Sequence, residues 1–500
     1  MQPTRSTNHL YVPRAADELL ANPNVPVIMC SDEWSTLAAG QICEHGGGVL
    51  PMIAVGHGGS WGWRMSMPVE DRDAVLVHRL FPLLDRKIRR KGRLRCYELM
   101  RDAQHPIARM QLNGCFFDRE AQLQLMTKWA ADRRQVHQEL KTLLGAEFNL
   151  GSSTQLATWI EQNVEASLLR QWERGVKGGP KTGAKVLALY PDLPFVKALM
   201  RWKILNKKLT SFGLRYAAHI NPVTGRIHAS FVIGGADTGR LACRNPNIQN
   251  PPKDSDFRSL FAAPPERVMV VADYSQIELR VVALVAPEKT MLRSYDLGID
   301  LHRKTAAALT GATFDAATKG QRQLAKAVNF GLLFGQGAPG LAKYAKTQYG
   351  VDMSVKEAEK YRKAFFDTYR GLRRWQHRTA ELAEAPHSVR TPSGRVRTFK
   401  RKSGKSYYTA FLNTPIQGGA AEVLLAALAA LDRRLKRLDA KLVNVVHDEL
   451  VLELAADQAP AAKTAVEEAM VEGMLSIFPK ANCNGLVEAH SGPNWAEAKS

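Results

Sequence analysis

LVNVVHDELVLEL, residues 442–454, is two short apolar segments that meet at His447-Asp448. Apolar and polar residues alternate on either side of a two-residue break, which is the pattern of a β-hairpin. His-Asp is not a favoured pair for so tight a turn, where Asn-Gly or Asp-Gly is expected. Three ionisable residues in a row, His447, Asp448 and Glu449, crowd the tip of an otherwise apolar hairpin. Asp is common in turns because its side chain bonds nearby backbone, so Asp448 has a purely local explanation. The crowding is nevertheless locally unfavourable, and such conflicts concentrate at functional sites.

Moving outward, the next apolar strand is RVMVVAD, residues 267–273, followed by QIELRVVALVA, residues 276–286, of helical composition. Asp273 thus stands where a strand stops and a helix begins. A carboxylate at the end of a buried strand is held rigidly, which suits a metal ligand. Ser275-x-x-Glu278 also reads as a capping box, which would leave Asp273 as an ordinary turn residue. Between the two carboxylates lies GQRQLAKAVNFGLLFGQG, residues 320–337, with Arg322, Lys326, Phe330 and Phe334 each four residues after the last. That spacing puts two cations and two aromatics on one helical stripe. Cations can hold phosphates and an aromatic can stack on a base. The alternative, aromatics in a core and charges in solvent, would separate them onto opposite faces.

The bulk properties agree with a polyanionic partner. The formal charge is +21 and the pI about 9.7, and nucleic acid is the first candidate for such an excess. The 500 residues predict about three domains at roughly 150 residues each. No apolar run reads as a membrane span, and the N-terminus has no signal-peptide core. Asp17 and Glu18 argue against a transit peptide. The six cysteines, Cys30, Cys43, Cys96, Cys115, Cys243 and Cys483, are scattered without CxxC spacing, so reduced thiols are expected rather than disulfides or zinc. Residues 1–95 are glycine-rich (GHGGSWGW) and end in a basic run, RKIRRKGR, residues 86–93. Helical patterns are expected over 96–149, 195–219 and 301–386, with a loop at 172–183. INPVTGRIHASFVIGG, residues 220–235, reads as two strands around a turn at Asn221-Pro222.

DYSQIELR (273–280), RQLAKAVNFGLLFG (322–335) and VHDELVLEL (446–454) resemble, in order, motifs A, B and C of family A DNA polymerases. TGRLACRNPNIQNPP (238–252) resembles the family's template–primer-binding stretch, and NTPIQGGAAE (413–422) its helix before motif C. GPNWAEAKS (492–500) resembles the family's C-terminus, so a natural chain end is expected. The resemblance runs from about residue 96 onward. It implies an α/β (α+β) right-hand fold: thumb and its approach at 96–230, palm at 231–285 and 388–500, and fingers at 286–387. Residues 1–95 would be a small N-terminal domain, an exonuclease-like remnant. They lack the Asp-x-Glu pair that 3′–5′ excision needs, so proofreading is expected to be absent.

The resemblance implies a template-directed DNA polymerase that adds deoxynucleotides to a primer 3′-end by two-metal-ion nucleotidyl transfer. Asp273, Asp448 and the Tyr274 carbonyl would hold two Mg²⁺ ions, or Mn²⁺, with Glu449 secondary. Arg322 and Lys326 would clamp the triphosphate, and Lys326 would also protonate the leaving pyrophosphate. His302 resembles a phosphate-contacting histidine, and Gln276 would assist. Phe330 would pack on the incoming sugar and base; Phe there implies discrimination against dideoxynucleotides. Glu278 resembles the steric gate against a 2′-hydroxyl. The family usually has Tyr at the position of Phe334, and its hydroxyl bonds that glutamate. A lost bond to a charged group is worth roughly 1.5–3 kcal/mol, which implies a looser gate. Arg240, Gln249, Asn250, Arg258, Asn413, Gln417 and His447 would contact primer and template, reading minor-groove acceptors shared by all base pairs. The expected partners are primer–template DNA, deoxynucleoside triphosphates and accessory proteins of replication or repair, with no membrane. A monomer in the cytoplasm of a bacterial or phage-infected cell is expected. The rival readings are a single-subunit RNA polymerase and a non-catalytic nucleic-acid-binding protein with the same hand shape.

Overall fold

The computed structural model describes residues 84–499 apart from 146–147, 177, 253–254, 384–387 and 400–406. The expectations for residues 1–83 lie outside the described residues. Four strands form one antiparallel sheet in the order β4-β1-β3-β2: β1 is Arg267–Tyr274, β2 Ala440–Val446, β3 Glu449–Ala455 and β4 Val487–Gly492. The hairpin expectation holds, since β2 and β3 pair outward from Val446 and Glu449 around a loop of only His447 and Asp448. β1 lies between β3 and β4, and Asp273 pairs with Glu449 on one side and Glu488 on the other. The sheet therefore brings Asp273 and Asp448 to one end, and the Tyr274 N–H donates to the Asp448 carbonyl at 3.2 Å.

The alternation in β3 does not mark a solvent face, because the strand is buried on both sides from Glu449 to Leu454. Glu453 is fully buried and accepts a two-point bond from Arg226, both contacts 2.8 Å, with Arg267 at 3.1 Å. A buried carboxylate stays charged only with such partners. Residues 220–235 do not form the expected pair of strands around Asn221-Pro222. The turn lies at 221–225, bridged by Ile220 and Ile227, but the two strands that follow it do not pair with each other. Arg226–Ile227 pairs with Cys115–Phe116, and Ser230–Val232 pairs with Ala242–Arg244. Only His228 and Ala229 separate them, so the chain runs on extended and changes partner.

Two long helices form an arm. α1, Arg119–Leu144, has 26 residues and so runs about 39 Å. Asp118 caps it by accepting from the Ala121 N–H at 2.9 Å. Its first half sends Leu125 and Trp129 into the main core. Its second half joins α2, Pro194–Phe212, in a separate core of Val136, Leu140, Phe195, Val196 and Leu199. Among the described residues of the expected loop at 172–183 there is no helix.

α3, Ile277–Val285, follows β1 directly. The helical section from 301 resolves into five helices, of which the first two matter here: α4, Leu301–Thr310, and α5, Lys319–Leu333. α5 starts at a reciprocal capping box between Thr318 and Gln321. α6, Tyr408–Leu435, packs along α7, Ala459–Ile477, and α7 lies against the sheet, where the Tyr274 hydroxyl donates to the Met470 carbonyl at 2.7 Å. α6 corrects the expectation about membrane-length apolar runs: its 28 residues meet the length and hydropathy of a span, but 89% of that window is buried inside the protein. It is apolar all round because it is a core helix. Gly418 lets it approach closely, since a Cβ there would stand 2.5 Å from the Thr391 methyl and 3.1 Å from the Thr238 carbonyl. Among the described residues Cys96, Cys115, Cys243 and Cys483 are free thiols.

Candidate active site

Asp273 is the last residue but one of β1 and Asp448 the second residue of the β2–β3 loop; both are partly exposed, Asp273 between buried Ala272 and Tyr274, Asp448 between exposed His447 and buried Glu449. A residue in the left-handed region stands near each, Gln276 at φ 55° three residues after Asp273 and His447 at φ 59° next to Asp448. Non-glycine residues there are uncommon and collect at functional sites. Gln276, not Ser275, is the N-cap of α3, and no side chain caps that helix. The expected Ser275–Glu278 capping box is therefore absent. The Glu278 carboxylate turns instead to Arg240, 2.6 Å away.

Burial, and then repulsion from Asp273, pushes the Asp448 carboxyl up to about 7. Asp273 Oδ1 and Gln276 Oε1 are buried without a hydrogen-bond partner. Buried acceptors of this kind normally have one, so the pair fits a cation between the carboxylates. Among the described residues no three carboxylate, imidazole or thiol side chains form a closed cage. Two carboxylates with open positions suit Mg²⁺, which retains water and takes substrate phosphates as ligands. A folded carboxyl titrating near 7 keeps a proton that the unfolded chain loses near 4, so metal-free stability falls as pH rises across that window. A metal must displace the same proton, so its binding weakens below pH 7. The Mg²⁺ concentration that half-saturates this pair of carboxylates is expected to rise about tenfold from pH 8 to pH 6, close to one proton per unit below the carboxyl's midpoint. Titration of Mg²⁺ at each pH measures this, and a flat dependence contradicts it.

Arg322, Lys326, Phe330 and Phe334 are all partly exposed, whereas Ala325, Val328, Asn329 and Leu332 are buried. The four therefore share one open stripe, with Phe334 at the C-cap of α5. Arg322 Nε bonds Asp300 Oδ2 at 2.8 Å. The other Asp300 oxygen accepts from the His302 and Arg303 amides and caps α4. Burial opposes charge on Asp300, but Arg322 and these amides outweigh it and hold the carboxyl below its usual range. In the sequence Asp300 is legible only as a helix cap, and no spacing signals its grip on Arg322. Lys326 has no hydrogen bond or ion pair among the described residues. His302 is 3% exposed, and burial lowers its pKa to about 4. The Asn329 amide donates to its Nδ1 at 2.8 Å, which places the ring proton on Nε2. His302 is thus a neutral donor packed against Phe330, with ring centroids 5.9 Å apart.

The expected primer–template contacts divide. Asn413 and Gln417, one turn apart, are partly exposed on an otherwise buried stretch of α6, and Asn413 Oδ1 is buried without a partner. His447 is exposed beside Asp448, and Asn250 is exposed with its amides bonded to Asn247. Gln249 points inward: it is 6% exposed and its Nε2 donates to the Val445 carbonyl at 3.0 Å. It braces the open edge of β2, as Asn444 does in return to the Ile248 carbonyl. Arg258 lies over the Trp495 ring at 5.0 Å. Glu449 is 2% exposed, and Trp495 and Lys499 from the C-terminal segment bond its two oxygens. Lys499 also reaches Asp273 Oδ2 at 3.2 Å. The sequence of residues 492–500 carries a motif but no signal for where Lys499 points.

The sequence profile described as DNA polymerase family A matches residues 119–497. The chain is 35% identical over 413 residues to DNA polymerase I of Pseudomonas aeruginosa, covering 78% of this chain and 43% of that protein. It is 34% identical over 367 residues to DNA polymerase I of Aquifex aeolicus (73% and 61%), and 32% identical over 465 residues to the thermostable DNA polymerase I of Thermus thermophilus (89% and 53%). The chain spans about half the length of these curated relatives. Among solved structures, the POL domain of Pol1 from M. smegmatis in complex with DNA primer-template and dNTP aligns with a TM-score of 0.74 at 27% identity, covering 86% of this chain and 76% of that one.

Proposed function

This chain belongs to DNA polymerase family A, and we propose that it extends a primer 3′-end on a DNA template by two-metal-ion nucleotidyl transfer, in a bacterial or phage-infected cytoplasm. The observation that carries this reading is the meeting of Asp273 and Asp448 at one end of the sheet, with Asp273 Oδ1 unpaired and Asp448 raised to about 7. Residues 96–230 act as thumb and its approach, 231–285 and 388–500 as palm, and 286–387 as fingers. Bound Mg²⁺ ions would activate the 3′-hydroxyl and stabilise the leaving pyrophosphate.

The chain's own groups do the rest. Asp273 and Asp448, with the Tyr274 carbonyl, would hold the ions. Arg322 exchanges Asp300 for the triphosphate, a fork-shaped donor trading a carboxylate for a phosphate. Lys326, lacking a partner, binds the same phosphates and gives its proton to the leaving pyrophosphate oxygen. His302 contributes a neutral Nε2–H, and Phe330 packs on the sugar and base. Asn413, Gln417 and His447 face the primer–template. Gln249 acts indirectly by holding the hairpin that carries Asp448. The absence of an Asp-x-Glu pair from residues 1–95 supports extension without proofreading.

The gate is better supported than Phe334 alone implied, because Arg240 holds Glu278. A Phe334→Tyr hydroxyl would add a second donor. Ribonucleotide incorporation relative to deoxynucleotide should then fall about tenfold, within the worth of a bond to a charged group. An unchanged ratio removes Phe334 from gate control. The function itself is tested by primer extension with Mg²⁺, offering deoxy- and ribonucleotides separately and following the unextended primer for shortening. Deoxynucleotide extension without shortening is expected. Preference for ribonucleotides would instead support the RNA polymerase reading, and no extension the non-catalytic one.

A further inference from the structure

Lys499 enters the carboxylate cluster on a built support. The Trp495 amide donates to the Phe261 carbonyl at 2.9 Å, and the Ala263 amide to the Pro493 carbonyl at 2.9 Å. The Trp495 side chain is 1% exposed, edge-on to Phe261 with ring centroids 5.4 Å apart, and its Nε1 donates to Glu449 Oε1. Asn494 caps the short 3₁₀ turn Glu497–Lys499 by accepting from the Glu497 amide at 3.0 Å. At Gly492 a Cβ would stand 2.7 Å from the Ala498 amide, so this turn is folded tightly back onto β4. The ammonium of Lys499 therefore arrives on a fixed framework rather than on a loose arm. It pairs with the remaining Glu449 oxygen and with Asp273 Oδ2.

Both Glu449 oxygens are thus taken, which removes it as an available metal ligand. Asp273 is divided: Oδ2 faces Lys499 and Oδ1 is unpaired. We propose that Lys499 is a built-in counter-ion of the metal site, a positioning residue that neutralises Glu449, occupies one edge of Asp273 and so keeps the divalent ions weakly held and exchangeable. A fixed positive charge beside a cation site lowers the site's affinity, and with Oδ2 engaged by Lys499 it is Oδ1 of Asp273 that would remain for an ion. This inference rests on reading Asp273 and Asp448 as metal ligands.

The test is Mn²⁺ titration of the full chain at pH 8, with free Mn²⁺ counted by electron paramagnetic resonance and no nucleotide or DNA present. Lys499→Met should bind Mn²⁺ about tenfold more tightly than the wild type, the effect of deleting one fixed charge a few ångströms from a bound ion. Lys499→Arg should stay near wild type. Lys499→Met combined with Glu449→Gln, which removes both charges of the pair, should return most of the way. In thermal unfolding, Lys499→Met should lose stability without metal and regain it with Mg²⁺. Unchanged or weaker Mn²⁺ binding by Lys499→Met overturns the inference, as does a stability loss that is equal with and without metal. Asp448→Asn separates the two levels. If it loses Mn²⁺ binding while Lys499→Met behaves as wild type, only the counter-ion role fails. If it binds as wild type does, the metal-ligand reading itself fails.

Discussion

Asp448→Asn is expected to reduce primer extension by roughly three orders of magnitude or more, while leaving the protein folded. The change is nearly isosteric and removes one of the two carboxylates that would hold the ions. Metal stabilisation of developing charge is worth several kcal/mol, and each 1.36 kcal/mol is about tenfold in rate. Folding should not suffer, because this carboxyl is strained where it stands: burial and Asp273 push it up to about 7. An amide removes that repulsion, so the metal-free variant should melt no lower than the wild type at pH 8. Extension rates and melting temperatures together measure this. A variant that extends normally, or one that is inactive only because it has unfolded, contradicts the role given to Asp448.

Lys326→Ala is expected to lower the single-turnover rate of nucleotide addition by about two to four orders of magnitude, the range for loss of a general acid. Lys326 lies between Arg322 and Phe330 on the open stripe of α5 and has no partner of its own among the described residues. The ground-state affinity for the triphosphate should weaken less, since Arg322 remains. Arg322→Ala should show the reverse balance, weakening affinity more than the rate of the bound complex. Rapid-quench measurement of rate against nucleotide concentration separates these terms. Equal rates for Lys326→Ala and wild type at saturating nucleotide would remove Lys326 from the proton step and leave it as a phosphate contact.

Much of this site is legible in the amino-acid sequence alone. The hairpin announces itself by alternation and by an ill-suited His-Asp turn, and β1 by an apolar run ending in Asp273. The stripe of Arg322, Lys326, Phe330 and Phe334 follows from four-residue spacing and lies on one partly exposed face. What stays illegible is set by partners distant in sequence. Ser275 and Glu278 have the spacing of a capping box, but Arg240 takes the glutamate and a left-handed Gln276 starts the helix. The glutamates of β3 look like solvent-facing positions, yet Arg226, Arg267, Trp495 and Lys499 neutralise or bond them inside the protein. Gln249 has the residue type of a minor-groove contact, but the edge of β2 needs a donor and takes it. Local propensity identifies the elements; which polar group meets which is decided only when the sheet and the C-terminal segment come together.

On this reading Asp273 and Asp448 would jointly hold the reacting metal pair. The most direct test is a crystal of the full chain with primer–template, a non-hydrolysable deoxynucleotide and Mn²⁺, measured for anomalous scattering. Mn²⁺ peaks held by both Asp273 and Asp448, with Oδ1 as the Asp273 ligand atom, are the predicted result. Peaks that involve only one of the two aspartates, or that lie on other residues, would contradict the account.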